Sequence, residues 1–232
     1  MTAEAQADDP AVARRQRRQK YVAWIERICA EDPGARAALR SGVGRGINKV
    51  PRMHRLVAPW LPSGCSPTEE RAYYAVAAMI AAQPRNSFTR AAEEDADGGA
   101  EPGSAHDADS GQDGKKPSAP SERYGESLGT AFARAVTERS AGEKGMRASA
   151  AESRLNMLTR QSIDGVHRHL PSSVRYLRGL GVPVDWAQLL DDLTAWPVHS
   201  GRIARRWLQD YYRLCAKAQL EEADQADQED LA

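Results

Sequence analysis

The sequence predicts an all-α protein: two small helical-bundle lobes joined by a disordered acidic insert. Three observations carry that expectation. Apolar residues recur at intervals of three and four in nearly every segment able to hold a core, and no run alternates with the two-residue period of a strand. Helix-start signals, a Ser or Asp followed three residues later by Glu or Gln, punctuate those segments. The stretch "EEDADGGAEPGSAHDADSGQDG" (93–114) contains no aromatic or branched aliphatic residue, so it has nothing to bury against the entropy of ordering it. The expected organisation is a disordered start (1–10), an N-terminal helical lobe (11–92), the acidic insert (93–121), a C-terminal helical lobe (122–217) and an acidic disordered tail (218–232).

The first helix is expected over about 11–30, where Tyr21, Trp24, Ile25 and Ile28 form one stripe and Arg14, Arg15, Arg17, Arg18 and Lys20 crowd the opening turns. A short helix near 34–41 ends in the glycines of "GVGRG" (42–46). Another, over about 52–61, buries Met53, Leu56, Val57 and Trp60, carries Arg52 and Arg55 on an adjoining edge, and stops near Pro62. "SPTE" then forms a capping box, with Ser66 as N-cap, Pro67 at the first position and Glu69 at the third. The helix it opens runs to about Gln83 and buries Tyr73, Val76, Ala77 and Ile80.

Beyond the insert, Leu128, Phe132 and Val136 mark a helix over about 122–140, and Ala148, Ala151, Leu155 and Leu158 mark one over about 146–160. Pro171 is placed in the first turn of the next, which ends at Gly179 and Gly181. Asp185 with Gln188 makes a second N-terminal box before "WAQLLDDLTAW". Ser200 is expected to cap the last helix, whose buried stripe is Ile203, Trp207, Tyr211 and Leu214, with Arg202, Arg206 and Arg213 on the other side.

Charge is distributed unevenly beneath a formal net charge of zero. The start, the insert and the tail hold 17 of the 32 acids and only Lys115 and Lys116 of the 32 bases. The remainder, residues 14–92 and 122–217, carries a formal charge near +15, mostly arginine. A one-sided charge of that kind points to a polyanionic partner, because each phosphate neutralised releases counterions, and the guanidinium fork matches phosphate geometry. On charge and helix face, Arg40, Arg52, Arg71, Arg139, Lys144, Arg147, Arg178, Arg202 and Arg206 are candidate nucleic-acid contacts.

Catalysis finds no foothold. "GVGRG" lacks both a preceding strand and a Gly-Lys-Ser/Thr ending, so it reads as a helix-terminating loop that can lie against a backbone phosphate rather than as a nucleotide loop. His167 and His169 have no Cys or carboxylate at metal spacing and read as surface or phosphate-contacting imidazoles. Asp191 and Asp192 are adjacent on a helix and diverge by about 100°, so they face solvent or pair with arginines rather than act as a dyad. Cys29, Cys65 and Cys215 are odd in number and far apart, which argues against a disulfide framework. No apolar run approaches the ~18 residues of a membrane span, and a soluble cytoplasmic protein without metal or cofactor is expected.

In "LRSGVGRG…PRMHRLVAPWLP", "ERAYYAVAAMIA", "SLGTAFARAV", "SRLNML" and "GVPVDWAQLLDDLTAW…RRWLQDYYR" the chain resembles the CasB family, the small subunit of the type I-E CRISPR Cascade complex. The likeness spans nearly all of 20–90 and 124–215; the acidic insert and tail depart from it. The resemblance implies an all-helical, non-catalytic subunit present as two copies. Its expected partners are the other Cascade subunits, crRNA and the target and non-target DNA strands, and its basic surface would stabilise the displaced strand of the R-loop. It also adds Arg55, Arg154, Arg160 and Arg175, in the matching segments, to the candidate contacts. Two other readings compete with it. A stand-alone helical DNA-binding regulator would need a helix-turn-helix unit that the loops do not mark, and an RNA-processing nuclease would need metal carboxylates or a paired histidine base.

Overall fold

The computed structural model describes residues 10–84, 125–137 and 145–229, and no strand occurs among them. Eight helices do: α1 (Pro10–Glu31), α2 (Pro33–Arg40), α3 (Pro51–Val57, continued by a 3₁₀ turn, Ala58–Trp60), α4 (Pro67–Ala81), α5 (Leu128–Thr137), α6 (Ala148–Thr159), α7 (Ile163–Gly179) and α8 (Trp186–Glu229). The acidic insert and all but the last residue of the expected disordered start lie outside the described residues, as do Arg139 and Lys144.

The starts follow from capping chemistry. Asp32 Oδ1 accepts from Gly34 N at 2.7 Å and Ala35 N at 3.0 Å, with Pro33 at the first position of α2. Ser66 Oγ accepts from Glu69 N at 3.2 Å to open α4, and Asp185 Oδ1 accepts from Gln188 N at 2.8 Å to open α8. Most of the predicted stripes are inside: Tyr21 and Ile25, Met53, Leu56 and Val57, Tyr73, Val76, Ala77 and Ile80, Leu128 and Phe132, Leu155 and Leu158, Ile203, Trp207 and Tyr211, with Trp24, Ile28, Trp60, Val136 and Leu214 half-buried at the margin. Ala148, by contrast, is exposed at the first turn of α6.

Four boundaries differ from the sequence reading, one being α5, which begins at Leu128 rather than near 122, with residues 125–127 outside any helix. Helix α7 begins at Ile163, capped by Ser162 Oγ, so Pro171 lies in its interior. The apolar repeat Val166, Leu170, Val174, Leu177 runs across the proline and is wholly buried, and that burial offsets the one backbone hydrogen bond a proline cannot donate. The break in α8 falls at His199 (φ −125°, ψ 22°), beside the expected Ser200 start. The helix then continues through Glu229 instead of dissolving at 218. A helix already nucleated by packing propagates easily through Ala, Gln, Leu and Glu, and the Lys217–Glu221 pair at 3.5 Å adds i,i+4 support.

One core cluster draws on helices from both sides of the insert. Tyr21 of α1 stacks on Tyr73 of α4 with ring centroids 4.8 Å apart and donates its hydroxyl hydrogen to the Tyr73 carbonyl at 2.9 Å. Arg18, one of the basic residues in the opening turns of α1, is 2 % exposed and reaches Glu69 of α4 (3.2 Å) and Asp191 of α8. It ties α1, α4 and α8 together. Arg36 of α2 donates to the Ala81 and Gln83 carbonyls at 3.2 and 2.7 Å, satisfying the C-terminal end of α4.

The break in α8 turns the chain back on itself. Along a straight helix Asp192 and Trp207 would stand roughly 22 Å apart, yet Trp207 Nε1 donates to Asp192 Oδ2 at 2.7 Å. Asp192 also accepts from Gln188 Nε2 at 2.9 Å and from Arg206, and the Trp196 and Trp207 rings lie 5.1 Å apart. Asp191 and Asp192 therefore both pair with arginines. Helix α5 nests against α8, and a Cβ at Gly129 would come within 1.8 Å of the Trp207 carbonyl oxygen. Only glycine fits there.

Candidate nucleic-acid interface

Helix α7 organises a long run of exposed positive charge. Ser162 sets its phase, and its buried stripe fixes Arg168, Pro171, Ser172 and Arg175 on the opposite, solvent-facing side at helical spacing. Facing that side across an open space are the C-terminal turn of α2 with Arg40, the 42–46 loop with Arg45, and the α4 residues Arg71 and Met79 with Gln83 just beyond them. Together they form a continuous groove. One stretch, of ≈ 510 Å³, runs past Arg45, Arg71 and Arg168; the next, of ≈ 500 Å³, past Arg40, Arg168, Arg175 and Arg178; a shallower third ends at Arg154, Arg175 and Tyr176. Successive stretches share Arg168 and Pro171, then Ser172 and Arg175.

The loop that closes one end depends on glycine twice. Gly42 packs so close to Met53 that a Cβ would meet its Sδ at 2.3 Å, and Gly44 has φ +69°, a conformation that disfavours side chains. This bend brings Arg45 beside α7.

Electrostatics divide the candidates. Arg40, Arg52, Arg55, Arg147, Arg160, Arg175 and Arg202 are exposed and make no ion pair among the described residues. The Arg154 guanidinium lies over the Tyr176 ring, 5.0 Å from its centroid, which holds it in place, and it makes no ion pair among the described residues. Arg71 is engaged by Asp164, whose carboxyl it holds below the usual carboxylate range by hydrogen bonding and charge. Arg178 donates to Gln83 Oε1 at 2.6 Å and to the Val182 carbonyl at 2.9 Å, a structural use. Arg206 is committed to Asp192, which is 3 % exposed; burial raises the Asp192 pKa, while Arg206 and the hydrogen bonds from Trp207 and Gln188 oppose that rise.

Of the thirteen candidates, five line the groove: Arg40, Arg71, Arg154, Arg175 and Arg178. Arg52 and Arg55 sit on the exposed face of α3, Arg160 borders a separate depression on α6, and Arg147 and Arg202 lie elsewhere on the surface. Arg45 and Arg168 belong to the groove although the sequence reading does not single them out. Arg168 is legible in principle, since it shares a face with Ser172 and Arg175; starting α7 at Pro171 hides it. His167 is a correction of another kind. It is 7 % exposed, not a surface imidazole, and burial first and Arg71 second push its pKa down to about 4. Among the described residues, no group of three His, Cys, Asp or Glu side chains is arranged to hold a metal ion, and no helix is long and apolar enough to cross a membrane.

These features define a class: an all-helical scaffold whose distinguishing surface is an arginine-lined groove. Comparison narrows it. The chain belongs to the family of CRISPR-associated protein Cse2, whose sequence model matches residues 35–212. It is similar to a chain of a solved "CRISPR RNA-guided surveillance complex, pre-nicking", with 34% identity, TM-score 0.70, and coverage of 90% of this chain and 98% of that one. It is also similar to a chain of a second structure, "CRISPR RNA-guided surveillance complex", with 35% identity, TM-score 0.66, and coverage of 90% and 99%. The crystal structure of CasB from Thermus thermophilus shares the fold at 22% identity, TM-score 0.54, covering 84% of this chain and 97% of that chain. Comparison with curated protein sequences finds no match.

Proposed function

We propose that this chain is a non-catalytic subunit of a Cascade-type CRISPR RNA-guided surveillance complex and that its α7 groove holds a single nucleic-acid strand by the backbone. The observation that carries this reading is the uninterrupted line of exposed arginines at 40, 45, 168 and 175, ending at Arg154 on Tyr176, on a member of the Cse2 family. Its partners are the other subunits of the complex, a second copy of itself, crRNA, and the target and non-target strands of the DNA. The strand best suited to the groove is the displaced one. R-loop formation exchanges one duplex for another of similar stability, so a few backbone contacts tip the balance. Such contacts are blind to sequence and sensitive to salt. Arg52, Arg55, Arg147, Arg160 and Arg202, off the groove, are available to crRNA, target strand or neighbouring subunits.

The test is reconstitution. Expressed with the remaining subunits and a CRISPR array, the chain is expected to co-purify with crRNA-bearing particles. Replacing Arg154 and Arg175 together with Ala is expected to shorten R-loop lifetime several-fold at physiological salt without changing helicity. Absence from the particles, or an unchanged lifetime, contradicts the reading.

A further inference from the structure

The groove is not uniform along its length. Its most enclosed part lies between the 42–46 loop, α4 and α7, where ≈ 510 Å³ of space is walled by Val50, Ala75, Ala78, Met79 and Pro171. Arg45, Arg71, Asp164 and Arg168 line it as well. Arg45 and Arg168 are exposed and unpaired among the described residues, while Arg71 is held by Asp164. His167, 7 % exposed, also lines this space, and its buried Nε2 has no hydrogen-bond partner among the described residues. A buried polar atom without a partner is costly unless a ligand supplies one. Burial keeps this imidazole neutral at physiological pH, so it offers a hydrogen bond and not a charge.

Those walls suit no phosphate. Desolvating an anion against alanine, valine and methionine is expensive, so a phosphate belongs with Arg45 and Arg168, which line the same space, and not against that apolar side. The walls suit a flat, neutral, hydrogen-bonding ring attached to a phosphate chain. The space falls within the ~300–1,000 Å³ typical of small-ligand sites, enough for a base with part of its sugar. We propose that this cavity receives a nucleobase unstacked from a single strand whose flanking phosphates lie on Arg45 and Arg168, with His167 Nε2 bonding the ring edge. The proposal rests on the reading of the α7 groove as a strand track and adds a subsite to it. A single hydrogen bond from His167 discriminates little between bases. It does discriminate single strand from duplex, because a base paired in a helix must be extruded before it can enter.

The full-length chain tests this with two probes of equal length and charge: a short oligothymidylate and an all-abasic chain. The expected result is roughly tenfold tighter binding of the oligothymidylate, the scale of one engaged base. His167→Leu removes the polar atom, and Ala75→Phe fills the space from a half-buried wall position should the first variant fold poorly. Either folded variant is expected to abolish the preference while leaving abasic affinity unchanged; Arg168→Ala is expected to weaken both probes alike. Equal binding of the two probes by the unmodified chain overturns the pocket, as does a preference that survives both substitutions. A groove reading that is itself wrong looks different: neither probe responds to salt or to Arg168→Ala.

Discussion

Single residues carry consequences that charge counting conceals. His167 is held neutral by burial and by Arg71, with a pKa of about 4 against an ordinary value near 6.5. The unfolded chain therefore binds a proton between those values that the folded chain refuses. Stability from this group is complete above about pH 6.5 and is lost as pH falls toward 4, by about 3 kcal/mol for the full shift. Urea midpoints at pH 7 and pH 4.5 should differ more for the natural chain than for His167→Gln; identical pH dependence would refute the assignment. Arg18 teaches a related lesson. Counted within the basic body's net charge, it is engaged internally by Glu69 and Asp191, which lie far away in sequence on α4 and α8. No local pattern announces such a pairing.

Helices are where the sequence proves most legible, because capping and amphipathic spacing act over three or four residues. Asp185 with Gln188 and Ser66 with Glu69 mark starts that the hydrogen bonds reproduce. Pro171 misleads because a proline's preference for the first turn competes with long-range burial, and here Val166, Leu170 and Val174 win. The fold-back of α8 is only half visible. Ser200 signals a break, but the Asp192 hub that fixes its angle depends on Arg206 and Trp207 from the far arm. Asp192→Ala strands those two donors and Gln188 together and is expected to cost about 3 kcal/mol or more in chemical denaturation; a loss under about 1 kcal/mol would remove the hub's role. Gly129→Ala forces α5 away from the Trp207 backbone and should lower thermal stability by about 2 kcal/mol or more, whereas a neutral substitution would mean the helices slide apart freely.

At the scale of the molecule, the all-helical class and the family are readable from periodicity and ordered motifs, and the basic body from segment charge. The groove is not. It exists only because α2, the 42–46 loop, α4 and α7 converge, bringing Arg40 and Arg45 beside Arg168 and Arg175 from distant parts of the chain. The stretch 93–114 holds eight acids. Deleting that stretch should raise non-specific affinity for DNA at low salt by removing negative charge from the chain; unchanged affinity would make it a passive spacer. The central claim, that a track of guanidinium groups grips sugar–phosphate chains, is tested most directly by the salt dependence of single-strand binding. With Arg40, Arg168 and Arg175 all replaced by Ala, the slope of log affinity against log salt should shrink by about 2, at roughly 0.7 for each phosphate no longer neutralised. A slope identical to that of the unaltered chain would contradict the account.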